Sequence, residues 1–592
     1  ALPIFAALNI LEPLYEACLD RMEAFRAEWD AAGGKSRPNY HKKFTAVLAR
    51  VDAHPNRRYF VLKSIILNNL YAVDIMAEAV EICKLRLFLK LAAQVKPNPA
   101  ADNLGIEPLP DIDFNIRAGN TLVGYATKQE VQRCMREVGG GQMKLMDEAD
   151  LGSFARFNTR CADVEQAFAK FRQLQTEGDG SVPHADKLEL QRRLKMLEQE
   201  LNRHLAGDYG VQVGDKAAYA KWLKSHQPFH WFIQFYGIMT GGGFDVIIGN
   251  PPYIKAAEVR AQYRVKNLAT LDCPDIYAWV LERANALLRD SGRSGMIVPL
   301  SLGFSSDFDI CRQMLFKGYS ANWFSSFGRI PSALFNFDVR VRNTIHIGSK
   351  ARAESGNYTT RLHRWFDAAR PTLFQGLSFA PFQPKLWKWR IPKLNTPRLA
   401  KAFEQLFQNT TRTFDTFTVP RPTQYVLHFK KTAYNWLNFC RTLPPCYDER
   451  GREVSHTQFG EIYFSSEARR DTAMLLADGK LMFVYWCAVG DDFHVAGWNF
   501  GGFPIDLTRF EESQNGASTA LVKDLESAMA TATQFKLNAG RKVGNYNLAK
   551  CRHITDRTDA LFLKLLQLET VFDDLDLYYA QVVKTDFDDG ED

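Results

Sequence analysis

Phe-Asp-Val-Ile-Ile-Gly-Asn-Pro-Pro-Tyr occupies residues 244–253. Its first six residues, Phe244 to Gly249, form a short apolar run and read as a buried strand. The next four end that strand abruptly. Pro251 and Pro252 fix φ and remove two N–H donors, so the chain must leave as a rigid, non-helical loop. In an open α/β sheet this is the carboxyl end of a strand, where ligands bind. Asn250 supplies an amide oxygen and Pro251 a carbonyl, two acceptors that could hold an exocyclic amino group. Tyr253 supplies a ring that could stack on a planar base. A plain strand-ending turn would not need Asn and Tyr around two prolines.

On both sides the text keeps the rhythm of an open parallel sheet. Upstream, Leu70 to Ile75 (LYAVDI) reads as a strand, followed by a helix without Gly or Pro (AEAVEICKLRLFLKLAAQV), and Phe114 to Gly119 reads as another strand. Downstream come a helix from Asp275 to Leu288 and strands at Gly295 to Leu300, Asn322 to Phe327 and Thr344 to Ile347. Residues 128–230 break the rhythm. There, Leu190, Leu194, Leu197, Leu201 and Leu205 line one helix face, which predicts an inserted helical hairpin with a solvated charged side. The opening residues also read as a helix, with Ile4, Leu8, Leu11, Leu14, Tyr15, Cys18 and Met22 as its apolar stripe. Because the first residue is Ala1 and helix begins at once, the sequence is expected to start inside a domain.

After Lys350 the text turns rich in Pro, Trp, Phe and Arg, and a domain boundary is expected there. Between Lys350 and Arg441 stand 16 Lys and Arg against 4 Asp and Glu, a local excess of +12 in a chain whose formal net charge is +7. Trp365, Phe366, Trp387, Trp389 and Tyr425 are interleaved with those charges. That combination predicts a polyanion partner, nucleic acid, with phosphate contacts that weaken in salt. From Thr555 a helix runs into an acidic tail (DFDDGED) that reads as disordered. Five segments result: 1–127, 128–230, 231–349, a basic domain over 350–560, and a terminal helix and tail over 561–592. Hydrophobic residues make up 46% and charged residues 24%, as in an ordinary globular chain. No apolar run is long enough for a membrane span. The ten cysteines include no C-x-x-C pair, which argues against a zinc ribbon and fits a reducing cytoplasm.

Three further residues carry two readings each. Asp74 sits at the end of LYAVDI, where an acid can accept both ribose hydroxyls of an adenosyl cofactor; it can equally cap the following helix. Asn120 follows a strand of the same layer and could read an adenine edge or cap a turn. Phe335, in ALFNFDVRVRNTIHIG, could stack on a base turned out of a duplex, or belong to the core.

The succession LYAVDI, DFNIRAGNTLVG, GGFDVIIGNPPYI, PDIYAWVLERANALL and GMIVPLS resembles the gamma-class amino-methyltransferases of bacterial restriction–modification and phage-defence systems. It is most similar to the long type IIG and BREX-type enzymes, which join a methylase to DNA-recognition modules. The likeness covers residues 1–350. Over 350–592 it is loose, carried by FHVAGWNFGG and NYNLAKCRHITD. The resemblance implies a Rossmann-like α/β sheet with a helical insertion, then a mixed α+β target-recognition domain. It implies methyl transfer from S-adenosylmethionine to N6 of a flipped adenine in double-stranded DNA, in a bacterial cytoplasm, without a metal. Restriction or defence subunits are a further expected class of partner. By motif, Asp74 and Asn120 would hold the cofactor's ribose and adenine. Asn250, Pro251, Pro252 and Tyr253 would form the target pocket, Phe335 would close it, and Asp275 would support it.

The family's Gly-rich loop after its first strand is not found, and Ala1 to Phe5 lies where that loop should enter its helix. A sheet without its central first strand would expose two edges. Weak cofactor binding by these residues alone is therefore expected. Two other functions fit part of the text. NPPY loops also occur in enzymes that methylate glutamine side chains or RNA guanines. A DNA-binding remnant or defence subunit without catalysis would also be compatible with the absent loop.

Overall fold

The structure is a computed structural model. It describes residues 2–583 except 34–36, 101–103, 105, 139–141, 144–147, 178–183, 336–340 and 515–516. The acidic tail from residue 584 lies outside the described residues. The chain divides into two compact units, 1–271 with 275–292, and 272–274 with 293–592.

The first unit opens with three helices, α1 (Leu2–Ala31), α2 (Pro38–Ala53) and α3 (Arg57–Asn69). Leu8, Leu48, Leu62 and Ile66 pack into one buried cluster between them. The Asn56 side chain caps α3 by accepting from the Tyr59 N–H. The predicted stripe of α1 is only half right. Ile4 and Leu8 are buried, but Leu14 is 55% exposed and Cys18 is also exposed, because α1 meets α2 and α3 along its Leu8 and Leu19 line. Strand β1 (Ala72–Asp74), helix α4 (Ala77–Ala92) and strand β2 (Ile116–Ala118) form a βαβ unit. The two strands run parallel, with Ala72 opposite Ile116 and Asp74 opposite Ala118. Residues 128–230 are mainly helical, with two long helices, α5 (Glu148–Glu177) and α6 (His184–Asp208), among shorter ones, and all five predicted leucines of α6 are buried.

Strand β3 (Phe244–Gly249) departs from its reading as a buried strand. Val246 is 59% and Ile248 44% exposed. It lies beside the start of strand β4 (Leu288–Pro299), where Arg289 pairs with Asp245 at 2.7 Å, and it ends the strand order. Among the described residues no strand pairs with its other edge; Val246 and Ile248, two apart, share one face of the strand, and that face stays exposed. The single open sheet expected from the alternating text is likewise divided, with β1 and β2 forming a separate two-stranded sheet.

In the second unit β4 continues into a mixed sheet with β5 (Ala321–Phe327), β6 (Asn343–Ser349), β7 (Gly356–His363) and β8 (Ala380–Pro381), in the order β8-β7-β5-β6-β4. Strand β6 is antiparallel to both its neighbours, whereas β5 and β7 are parallel. The change of composition near Lys350 does not end this sheet, since β7 and β8 lie beyond it. Further along, helix α7 (Glu467–Ala477) is buried from Asp471 onward and helix α8 (Lys480–Val489) throughout. Among the described residues no single helix is long and apolar enough to cross a membrane. The α7–α8 pair reaches the composition only jointly and is bent by 68°.

Candidate active site

The loop after β3 is held from within and from behind. Asn250 and Pro252 are exposed, Pro251 is buried and Tyr253 is half-buried. The Tyr253 hydroxyl donates a hydrogen bond to Asn250 Oδ1 at 2.9 Å. This folds the ring back toward the amide and leaves the oxygen one further lone pair to offer. Behind the loop, Lys255 and Asp275 form an antiparallel bridge, the Ile276 N–H donates to the Ile254 carbonyl at 3.0 Å, and Lys255 Nζ lies 2.9 Å from the Asp275 carboxylate. Asp275 is 7% exposed and precedes the helix Tyr277–Leu287, whose Tyr277, Trp279 and Leu281 are buried. Asp275 thus ties the loop to a helix fixed by its own packing.

Asp74 and Asn120 are brought together by the β1–β2 pairing. The Gly119 N–H donates to the Asp74 carbonyl at 2.9 Å, which sets Asn120 next to the end of β1. The Asp74 carboxylate is exposed and accepts the Met76 N–H at 2.9 Å, a turn before the helix; the N-cap position is Met76 and no side chain caps it, so Asp74 is not the cap of that helix. Asn120 is 2% exposed. Its Oδ1 accepts the Leu122 N–H at 3.1 Å. Its Nδ2 is buried without a well-formed hydrogen bond, although the Tyr263 hydroxyl stands near enough to feel it. Burial pushes the Tyr263 hydroxyl above its ordinary range. An Asn amide carries two N–H groups, so with Tyr263 beside it one is still left to offer to a ligand acceptor. An exposed carboxylate beside such a donor suits a ligand with hydroxyls and a ring nitrogen. Nothing in the linear text pointed to Tyr263 or Lys255, because each matters only through what the fold sets beside it.

Phe335 belongs to the other unit. It is half-buried, in a loop whose Ala333 and Leu334 carbonyls accept from the Arg370 guanidinium at 3.1 and 3.0 Å. The five residues after it lie outside the described part.

The basic stretch after Lys350 needs correction in its detail. Trp365 and Trp387 are core residues, 5% and 2% exposed. Arg364 is buried, with Nε 3.0 Å from Asp492 Oδ1, and Lys393 is buried with Nζ donating to the Ala488 carbonyl at 2.8 Å. Burial lowers the Lys393 ammonium to about 8. Two of the sixteen cations are thus built into the interior of the unit. Lys385, Lys388, Lys401, Arg412 and Arg421 remain exposed.

Residues 68–330 match the Eco57I restriction-modification methylase family. The methylase segment so defined contains Asp74, Asn120, the Asn250–Tyr253 loop and Asp275, and ends before Phe335. A curated relative from Methanocaldococcus jannaschii, named as a type II restriction enzyme and methyltransferase, is 28% identical over 287 residues. That alignment takes in 43% of this chain and 24% of the relative, so the chain spans about a quarter of its length. Among solved structures, the DrdV–DNA complex aligns with 65% of this chain and 46% of its own, at 14% identity and a TM-score of 0.21. The type IIG restriction endonuclease BpuSI aligns with 88% and 77%, at 10% identity and a TM-score of 0.23. Overlap at that level adds nothing to what the strand pairing says about the fold.

Proposed function

We propose that the methylase segment transfers a methyl group from S-adenosylmethionine to N6 of an adenine flipped out of double-stranded DNA, within a restriction–modification system. The observation that carries this reading is the Tyr253–Asn250 hydrogen bond in a loop braced by Asp275. It leaves an oriented amide oxygen, a carbonyl and a ring within four residues of one short turn.

Those groups set the chemistry. Asn250 Oδ1 and the Pro251 carbonyl accept hydrogen bonds from the N6 amino group. This turns the nitrogen lone pair out of conjugation and favours the positive charge that develops on it. Tyr253 holds the base by its face, so that positioning supplies much of the rate. The proton left on nitrogen passes to solvent. Asp74 would hold the ribose hydroxyls and Asn120 Nδ2 the adenine ring of the cofactor, which when bound supplies an electrophilic methyl group on sulfur. The basic surface after Lys350 would contact DNA phosphates, with 350–560 as the target-recognition part.

Transfer of tritiated methyl groups to DNA, RNA and protein tests the reading. Label in DNA, at N6 of adenine, is expected, and it should be lost in Asn250→Ala. Label confined to protein or RNA would overturn the substrate.

A further inference from the structure

We propose that Trp498, with Arg390 and Phe304 beside it, is a stacking platform for a nucleobase of bound DNA. The inference rests on the DNA reading above and adds a contact residue outside the methylase segment. A single exposed aromatic side chain is ordinary and carries no argument by itself. Three features of Trp498 do.

The first is rigid presentation. Trp498 is 44% exposed, yet it stands on the short turn Gly497–Phe500, pinned by a fully buried neighbour. Asn499 Oδ1 accepts the Ala496 N–H at 3.1 Å, and Asn499 Nδ2 donates to the His494 carbonyl at 2.7 Å. The Trp486 indole N–H donates to that same carbonyl at 2.8 Å. An indole held outward by a buried hydrogen-bonded frame loses little freedom when something stacks on it.

The second is its company. The Phe304 ring lies nearly parallel to the indole, at 19° and 6.0 Å between centres, and the Arg390 guanidinium carbon is 5.6 Å from the Trp498 ring centre. Arg390 is brought there by a turn in which Lys388 and Trp389 take left-handed conformations, φ 50° and 65°, unusual for residues with a side chain. The Ile391 N–H then closes onto the Gly303 carbonyl at 2.9 Å. A flat ring with a guanidinium over it, and the exposed Lys388 two residues before that arginine, is the chemistry that takes a base turned out of its stack and its phosphate.

The third is place. Phe304 lies in the short helix Ser301–Phe304, directly after the carboxyl end of β4. That end of an open α/β sheet is where ligands gather.

The test uses the full chain and a mixed-sequence DNA duplex carrying 5-iodouracil in place of thymine. On irradiation, a crosslink to the peptide containing Trp498 is expected. In parallel, DNA affinity followed by anisotropy should fall about tenfold in Trp498→Ala with the salt slope unchanged, and stay within about twofold in Trp498→Phe. In Arg390→Ala the salt slope should fall by about one. Crosslinks found only elsewhere, with Trp498→Ala binding as tightly as the wild type, would overturn the platform and leave the DNA reading standing. A wild-type chain that binds no DNA would overturn both. The crosslink is read on wild-type protein, so it decides the matter even if Trp498→Ala folds poorly.

Discussion

Asn250 and Tyr253 share one hydrogen bond, and their substitutions should separate accordingly. Tyr253→Phe removes the donor and keeps the ring. A neutral hydrogen bond is worth about 1 kcal/mol net, so methyl transfer should slow roughly fivefold. Asn250→Ala removes the oriented acceptor itself and should slow transfer by about 10²- to 10³-fold, with DNA affinity little changed. Single-turnover rates beside anisotropy would show it. Equal losses in Tyr253→Phe and Tyr253→Ala would mean that the ring does not hold the base. Asp74→Ala should weaken S-adenosylmethionine binding at least about tenfold by calorimetry, since a carboxylate accepting two hydroxyls makes charge-assisted hydrogen bonds. Unchanged affinity would leave Asp74 as the turn residue its bond to the Met76 N–H already makes it.

Among the elements, α8 shows how burial sets a pH dependence. Its first N–H groups, at Lys480 and Leu481, are accepted by the fully buried Asp559 carboxylate. Burial outweighs those bonds and raises the acid from 3.8 to about 6. A carboxyl raised on folding binds more protons in the native state, so this group's contribution to stability falls as pH rises from about 4 to 6. Asp559→Asn should remove that slope. The difference in melting temperature between variant and wild type is expected to change in the variant's favour across that window, and a constant difference would contradict it. The insertion supplies a second case. Leu201 of α6 is fully buried, and Leu201→Ala should cost about 2–5 kcal/mol in a denaturant titration.

For the molecule as a whole, the question is how much of the positive charge is free to meet a polyanion. Exposed lysines release counterions when they meet phosphate. Lys388→Ala and Lys401→Ala should each flatten the plot of log affinity against log salt by up to about one. Arg364→Ala belongs to a different class. It leaves Asp492 buried beside only the more distant Arg342, 3.8 Å away, and should cost about 3–5 kcal/mol of stability. Charge counted along the sequence cannot separate these two groups of arginines and lysines, because burial is a property of the folded chain.

The linear text made legible whatever depends on neighbours in sequence. Two prolines after an apolar run end a strand wherever they stand, so the Asn250–Tyr253 loop and its candidate chemistry could be read, as could the five leucines of α6. The tertiary structure decided the rest. It left Val246 and Ile248 in water, because exposure of a strand's side chains depends on what packs against that face of the sheet. It buried Trp365, Trp387, Arg364 and Lys393, which a count of composition had assigned to a surface. It also set Asp275 behind the loop, Tyr263 beside Asn120, and Arg390 beside Trp498. Those contacts join residues between 20 and 143 positions apart. No local periodicity encodes them; they arise only when the packing of many elements closes the intervening chain.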